Sequence, residues 1–237
     1  MRIMLAGPPK TGNVWVKHIL IATYGLRRLP AEHEPQDNAE SFRRYVEAGR
    51  FEDGTIFHQH FRYSDEICDI AESLPAHVVT VLRNPYDTFV SFYHYIQRFR
   101  ERFIAADSSD ARVIDKPIDA PEVLELLKGT FGYHLVLANE WLQSGRSIVV
   151  RYEELHADPS RAVKQLTDQI EPVDALRIRD AIDHTGADQM RKRNDMLARH
   201  IRAATIDDWK NHLTEPHLEI FRTHHAALVQ GLGYPLA

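Results

Sequence analysis

Two short segments of this chain carry residues of the types and spacing that bind anions. The first is Gly7-Pro8-Pro9-Lys10-Thr11-Gly12-Asn13, which follows the apolar run Ile3 to Ala6. A glycine loop between a strand and a helix turns backbone N–H groups toward a ligand at the positive end of the helix dipole, a geometry suited to phosphate or sulfate. Gly7 and Gly12 have the glycine spacing of a Walker A loop, but Asn13-Val14 stands where Lys-[Ser/Thr] is required. The lysine lies inside the loop instead, at Lys10. A glycine pair alone is equally compatible with an ordinary turn. The second segment is Leu82-Arg83-Asn84-Pro85-Tyr86-Asp87-Thr88-Phe89-Val90-Ser91. Asn84 reads as a helix N-cap, Pro85 as the first helical residue and Asp87 as the N3 partner. Capping leaves Arg83 and Ser91 unexplained. Arginine offers a rigid fork of donors to a phosphate, and serine adds a hydroxyl. A third pair, His58-Gln59-His60, can bind a metal, take part in acid–base chemistry, or consist of satisfied polar side chains. No nearby Cys or His–Glu spacing supplies further metal ligands.

The elements that must position these groups alternate. Ile3–Ala6, Thr55–His58, His77–Leu82 and Ser147–Tyr152 read as strands, the last two apolar without alternation, as buried parallel strands are. Val14, Trp15, His18, Ile19 and Ala22 fall at helical spacing after the glycine loop. Phe89, Phe92, Tyr93, Ile96 and Phe103 mark one apolar face of a long helix that begins at Pro85. A helix is expected around Ser41 to Ala48 and another over Pro121 to Gln143. The segment 105–120 reads as a loop, and the remainder is mostly helical with a break around 198–208. Strands separated by helices imply a parallel sheet with right-handed crossovers, so the expected class is α/β. Arg83, at the C-terminal end of a buried strand, then lies where such proteins place ligands.

Composition narrows the partners. The 237 residues fit one domain, 1–237, and carry 29 Lys plus Arg against 34 Asp plus Glu, a net charge of −5. That balance argues against a nucleic-acid binder. A single cysteine, Cys68, excludes a disulfide framework. Nothing approaches 18 consecutive apolar residues, so no membrane span is expected. With too short an apolar stretch for a signal peptide, the expected location is cytoplasmic. The chain has 14 histidines.

Taken together, Pro9-Lys10-Thr11-Gly12-Asn13-Val14-Trp15 resembles the 5′-phosphosulfate loop of the sulfotransferases, and Arg83 through Ser91 resembles their 3′-phosphate motif. Val149-Val150-Arg151-Tyr152-Glu153-Glu154-Leu155 and Asp208-Trp209-Lys210-Asn211-His212 are similar to two later segments of that family, in the same order. The resemblance implies a P-loop-like three-layer α/β/α fold with a central parallel sheet. It also implies the donor 3′-phosphoadenosine 5′-phosphosulfate (PAPS), its product PAP, no metal, and transfer of a sulfuryl group to a hydroxyl or amine of a small-molecule acceptor.

Carried over by position, Lys10 would contact the bridging oxygen, and Thr11, Gly12, Asn13 and Val14 would wrap the 5′ group. Trp15 would stack near the adenine, with Tyr152 and Thr185 lining that pocket. Arg83, Ser91 and Arg202 would hold the 3′-phosphate. His60 matches the position of the family's catalytic base. His58, Phe61 and Tyr93 fall on the expected acceptor side, built from 30–53, 58–66 and 93–120. There, aromatics such as Phe42, Tyr45, Phe51, Tyr63, Phe99 and Phe103 are interleaved with Arg43, Arg44, Arg62 and Arg98. The sequence departs from the family at Val14, which lacks the usual hydroxyl, at Ala203-Ala204, where Lys-Gly or Arg-Gly is frequent and supplies a further charge, at Asp207, where glycine is usual, and at Ala187, where an aromatic often stands. A P-loop kinase or other NTPase and a non-catalytic nucleotide-binding relative are the alternatives.

Overall fold

The computed structural model describes residues 1–29 and 34–237. Residues 30–33, part of the expected acceptor side, lie outside the described residues.

Five parallel strands form one sheet in the order β2-β3-β1-β4-β5: β1 Arg2–Ala6, β2 Arg27–Arg28, β3 Thr55–Gln59, β4 Ala76–Leu82 and β5 Ile148–Arg151. The register sets Leu5 beside His58 and Leu82 beside Arg151, so the phosphate loop, the histidine pair and Arg83 all emerge at the C-terminal edge. The two-residue β2, both arginines exposed, carries too little apolar pattern to be legible in the sequence. Helices cover both faces, as the expected three-layer architecture requires. On one face α1 (Asn13–Tyr24), α9 (Pro159–Ile170) and α10 (Ala175–Thr185) pack on the sheet through Val16, Ile19, Leu166 and Ile178. The buried stripe of α1 is Val16, Ile19, Leu20 and Thr23, rotated from the expected one, and Ala22 is exposed. Val14 and Trp15 line a cavity, Trp15 also packing against the edge of this core.

The other face holds two clusters. One gathers Phe42 from α2 (Ala39–Glu47), Phe57, Phe61, Ile67 and Cys68 from α3 (Asp65–Glu72), and Trp141 from α7 (Gly132–Ser144). The second gathers Tyr86, Phe89 and Phe92 from α4 (Pro85–Arg98), Val123 and Leu126 from α6 (Pro121–Leu126), Phe131, and Phe221 from α13 (Glu215–His224). α4 stops at Arg98, because Phe99 leaves helical geometry (φ −113, ψ 32), and α5 (Arg100–Ala105) begins a new axis. Phe103 therefore belongs to α5, and the apolar spacing that linked it to Phe89 crosses a break. The expected loop at 105–120 contains a 3-10 turn, Ser109–Val113, capped by Ser108. Between α6 and α7 the helical rise is interrupted by a π turn, Leu127–Phe131. After α10 come α11 (Ala187–Arg193) and α12 (Asp195–His200), then an irregular segment up to the 3-10 turn Asp208–Asn211.

Asp87 anchors that segment. Its carboxylate, 2% exposed, accepts the backbone N–H groups of Asp207 (2.8 Å) and Trp209 (2.9 Å). The expectation that Asp87 serves as a local N3 partner is thus corrected: Asn84 caps α4 through the Tyr86 N–H, and Asp87 reaches across to a distant loop. Trp209 lies on Tyr86, ring centroids 4.9 Å apart. Ala204 and Asp207 both adopt left-handed backbone, with φ 55 and φ 62. These are positions where the family favours glycine, and each side chain there costs about 1–2 kcal/mol.

Two stability measurements follow. Trp141 is fully buried and donates its Nε1–H to the Phe61 carbonyl at 2.8 Å; Trp141→Ala is expected to lower unfolding stability in urea by about 3–5 kcal/mol. Ala204→Gly relieves a left-handed alanine and is expected to raise stability by up to about 1 kcal/mol in the same assay.

Candidate active site

At the sheet's C-terminal edge lies a cavity of about 560 Å³. Its wall includes Lys10, Gly12, Asn13, Val14 and Trp15 from the glycine loop and α1. Arg83 and Ser91 come from the second segment, and His58 and His60 from the end of β3. Tyr152, Thr185 and Arg202 complete the residues singled out from sequence. Groups more than 100 residues apart are thus brought to one surface, Lys10, His60, Arg83 and Tyr152 by strand order and Arg202 by the loop that Asp87 anchors.

The glycine loop is braced from within. Gly7 has φ 142 and Gly12 φ 109, and a Cβ on Gly12 would stand 2.7 Å from the Tyr152 ring, so only glycine fits there. Thr11 donates its hydroxyl to the Pro8 carbonyl (3.2 Å), and the Asn13 amide donates to the same oxygen (2.8 Å). Those side chains shape the loop; Thr11 is buried and does not line the cavity. No side chain caps α1, whose N-terminus opens on the cavity and leaves its first N–H groups for an anion. Lys10, with φ 68, places Nζ 4.2 Å from the centre of the Tyr95 ring. Burial, then the nearby Arg83 and Arg98 charges, lower its pKa to about 7.

Arg83 stacks on the Tyr152 ring at 4.4 Å and donates to the Thr205 carbonyl at 2.8 Å. Its Nε has no partner among the described residues, and neither has the Nε of Arg202. Arg202 pairs with Asp208 through another nitrogen. Glu153 accepts the Asn84 N–H at 2.7 Å and the Tyr234 hydroxyl at 2.9 Å, fixing the turn that presents Arg83. The sequence showed Glu153 only as part of a motif, with no role. Tyr152 meets Trp15 edge to face, ring centroids 6.0 Å apart, and the Trp15 indole N–H has no partner. Thr185 lines the cavity and donates its hydroxyl to the Ala181 carbonyl at 2.7 Å.

His60 Nδ1 lies 2.9 Å from the Gly7 carbonyl. A carbonyl only accepts, so Nδ1 carries the proton and Nε2 keeps its lone pair. Burial is the main cause that lowers the His60 pKa; the Gly7 bond opposes it and the Lys10 charge adds to it. His58 packs edge-on against His60, 4.7 Å between ring centroids, and burial drives its pKa well below the usual histidine value.

Two residues assigned to the acceptor side are core residues. Phe61 is 0% exposed and packs 5.4 Å from Phe42. Tyr93 is buried in the α4 cluster and donates its hydroxyl to the Lys116 carbonyl. Neither lines the cavity, because both project into the sheet-facing layers. Phe42, Tyr45 and Phe51 are core as well, while Arg43, Arg44 and Arg62 form surface ion pairs with Glu66, Glu40 and Glu140. The rest of the cavity wall includes instead Phe92, Tyr95, Arg102, Phe103, Asp110 and His134. Of these, only Phe103 was singled out from sequence. His200, on the wall beside Arg202, was also missed; burial lowers its pKa to about 4. No group of His, Cys, Asp and Glu with metal-site geometry occurs among the described residues.

The family model described as the sulfotransferase domain matches residues 1–233. Cytosolic sulfotransferase 14 of Arabidopsis thaliana is 25% identical over 187 residues, 69% of this chain and 52% of that protein, so the chain spans about half the length of that relative. Cytosolic sulfotransferase 3 of the same plant is 20% identical over 232 residues, 90% of this chain and 71% of that protein. Among solved structures, mouse sulfotransferase SULT7A1 complexed with PAP superposes with a TM-score of 0.68 at 18% identity, covering 98% of this chain and 88% of that one. Retinol dehydratase in complex with androsterone and PAP gives 0.65 at 11% identity, covering 97% and 80%. The structural likenesses show a common fold, and the domain match, running over nearly the whole chain, shows that the protein belongs to the sulfotransferase domain family.

Proposed function

We propose that the protein transfers a sulfuryl group from PAPS to a hydroxyl, or an amine, of a small-molecule acceptor. The observation that carries this is one cavity shared by the uncapped N-terminus of α1, Lys10, Arg83, Ser91 and the free Nε2 of His60. Orphaned Nε atoms on Arg83 and Arg202 suit a phosphate at one end of the donor, and Lys10 with the α1 N-terminus suits the anionic group at the other. Two similar structures, mouse SULT7A1 and retinol dehydratase, are complexes with PAP. A magnesium NTPase is disfavoured by Asn13-Val14, which supplies neither the lysine nor the hydroxyl such a loop uses. The cytoplasm is the proposed place of action. Among the described residues no helix is long and apolar enough to cross a membrane.

PAPS, when bound, supplies the sulfuryl group. The N–H groups at the start of α1 and Lys10 hold the 5′ end, while Arg83, Ser91 and Arg202 hold the 3′-phosphate. His60 Nε2 takes the acceptor's proton as its oxygen bonds to sulfur, and the bond from sulfur to the bridging oxygen breaks. Lys10 neutralises the charge that grows on that oxygen. Val14 offers no hydroxyl, so the backbone carries the 5′ contacts there. His58 packs against the base and holds its ring plane.

The depressed pKa values fit this division of work. A neutral His60 is the basic form, so its lowered pKa keeps it competent down to mildly acidic pH. Lys10, at about 7 in the free protein, is charged by a bound polyanion.

Lys10→Ala and His60→Ala are expected to retain PAP binding while transfer from labelled PAPS falls about 10²-fold or more for each; an active His60→Ala removes the base assignment. The lysine predicts a second signal. PAP raises the Lys10 pKa, so binding at pH 8 takes up a proton, and the uptake disappears in Lys10→Met. Calorimetry in buffers of different ionisation enthalpy reads that difference directly.

A further inference from the structure

Beyond the donor groups, the cavity contains polar atoms that the sulfuryl-transfer chemistry does not use. Asp110 is 8% exposed and lines the wall that Phe92 and Phe103 otherwise make apolar. Its carboxylate accepts one side-chain bond, from the Thr130 hydroxyl to Oδ1 at 3.0 Å. No cation pairs with it among the described residues. His134 lines the same wall, its ring 4.6 Å from that of Phe92, and its Nδ1 is buried with no partner among the described residues. A buried polar atom left unpaired costs about 1–3 kcal/mol, so the His134 nitrogen, on the same wall as a carboxylate with no paired cation among the described residues, calls for a ligand that supplies a donor.

The local backbone is built to present them. The π turn Leu127–Phe131 carries Thr130, which holds Asp110, and leads into α7, which carries His134. π turns are rare and concentrate at functional sites. This one is pinned from behind: His225 donates Nε2–H to the Leu127 carbonyl at 3.0 Å. Gly132 makes room for that ring, since a Cβ there would stand 2.8 Å from His225. Burial lowers the His134 pKa to about 3, with the nearby His60 adding to the effect, so the imidazole is neutral, and with its proton on Nε2 the unpartnered Nδ1 accepts a hydrogen bond.

Resting on the sulfuryl-transfer reading, we infer that Asp110 and His134 form an acceptor subsite for a second hydrogen-bond donor, so that the preferred acceptors are ring compounds carrying a hydroxyl or ammonium beside the group that is sulfated. Phe92, Tyr95 and Phe103 enclose the ring, and His60 faces the reacting hydroxyl. Acceptors with a methyl group in place of the second donor leave the carboxylate and the imidazole desolvated and unpaired.

The test is binding of matched acceptors to the PAP-loaded full chain by titration calorimetry: phenols bearing a neighbouring hydroxyl or aminomethyl group against their methyl isosteres. The donor-bearing members are expected to bind about tenfold or more tighter, and comparison of hydroxyl with ammonium tells which donor the site takes. Asp110→Asn keeps the volume and the Thr130 contact but turns a donor toward the cavity; His134→Phe keeps a ring and removes the acceptor atom. In both variants the preference ratio is expected to collapse, with PAP binding reporting that each is folded. Equal affinity within the wild-type pairs, or an equal loss for both members in the variants, overturns the subsite. Failure of the wild-type chain to bind PAP at all is a different result, and overturns the sulfuryl-transfer reading on which the subsite rests.

Discussion

Positive charge held out of water at the C-terminal edge of a parallel sheet is the constraint around which the rest of the structure is arranged. Lys10, Arg83 and Arg202 share one cavity wall, and the protein compensates them sparingly. Asp208 pairs with Arg202, and Asp87 stands 3.9 Å from Arg83. Lys10 has an aromatic face and no carboxylate among the described residues. Buried charge without a partner is costly and shifts toward neutrality, which is what happens to Lys10. The arrangement persists because the surrounding packing is stable without it, in cores built from Phe57, Phe89, Phe131 and Trp141.

The same constraint explains why the braces of Arg83 and of the loop bearing Arg202 come from distant segments. Arg83 is positioned by Tyr152 and the Thr205 carbonyl, its turn by Glu153, and the loop bearing Arg202 by Asp87. Each brace joins segments far apart in the chain. Asp87 bonds to two backbone N–H groups of one loop, so it fixes the loop's path whatever side chains the loop carries. That tolerance accounts for a loop in which Ala204 and Asp207 keep left-handed backbone at positions that glycine would hold without strain.

Much of this was legible in the sequence, and the boundary is instructive. The strand, glycine loop and helix at Gly7 to Val14 are local features, and Arg83 stood out because capping explained its neighbours but not itself. Fold class and the donor side followed from those segments. The acceptor side did not. Phe61 and Tyr93 were assigned there because they flank motif residues, but strand alternation and helix rotation turn them into the core. His134 and Asp110 lie on a helix and a 3-10 turn whose outlook depends on a π turn, and no periodicity of the sequence marks one. Asp87 reads from sequence as a local N3 partner, since a loop 120 residues away leaves no local signal.

The proposed donor carries a phosphate at each end of a nucleotide, a demand that other nucleotides do not make. On that proposal the 3′-phosphate contributes affinity through Arg83, Ser91 and Arg202. The direct measurement is the affinity of the wild-type chain for PAP, for adenosine 5′-phosphate and for ATP with magnesium, by calorimetry at one salt concentration. The account predicts that PAP binds at least about tenfold tighter than either, since charge-assisted contacts to a phosphate contribute about 1.5–3 kcal/mol each. Equal binding of PAP and adenosine 5′-phosphate, or tighter binding of ATP with magnesium, would contradict it.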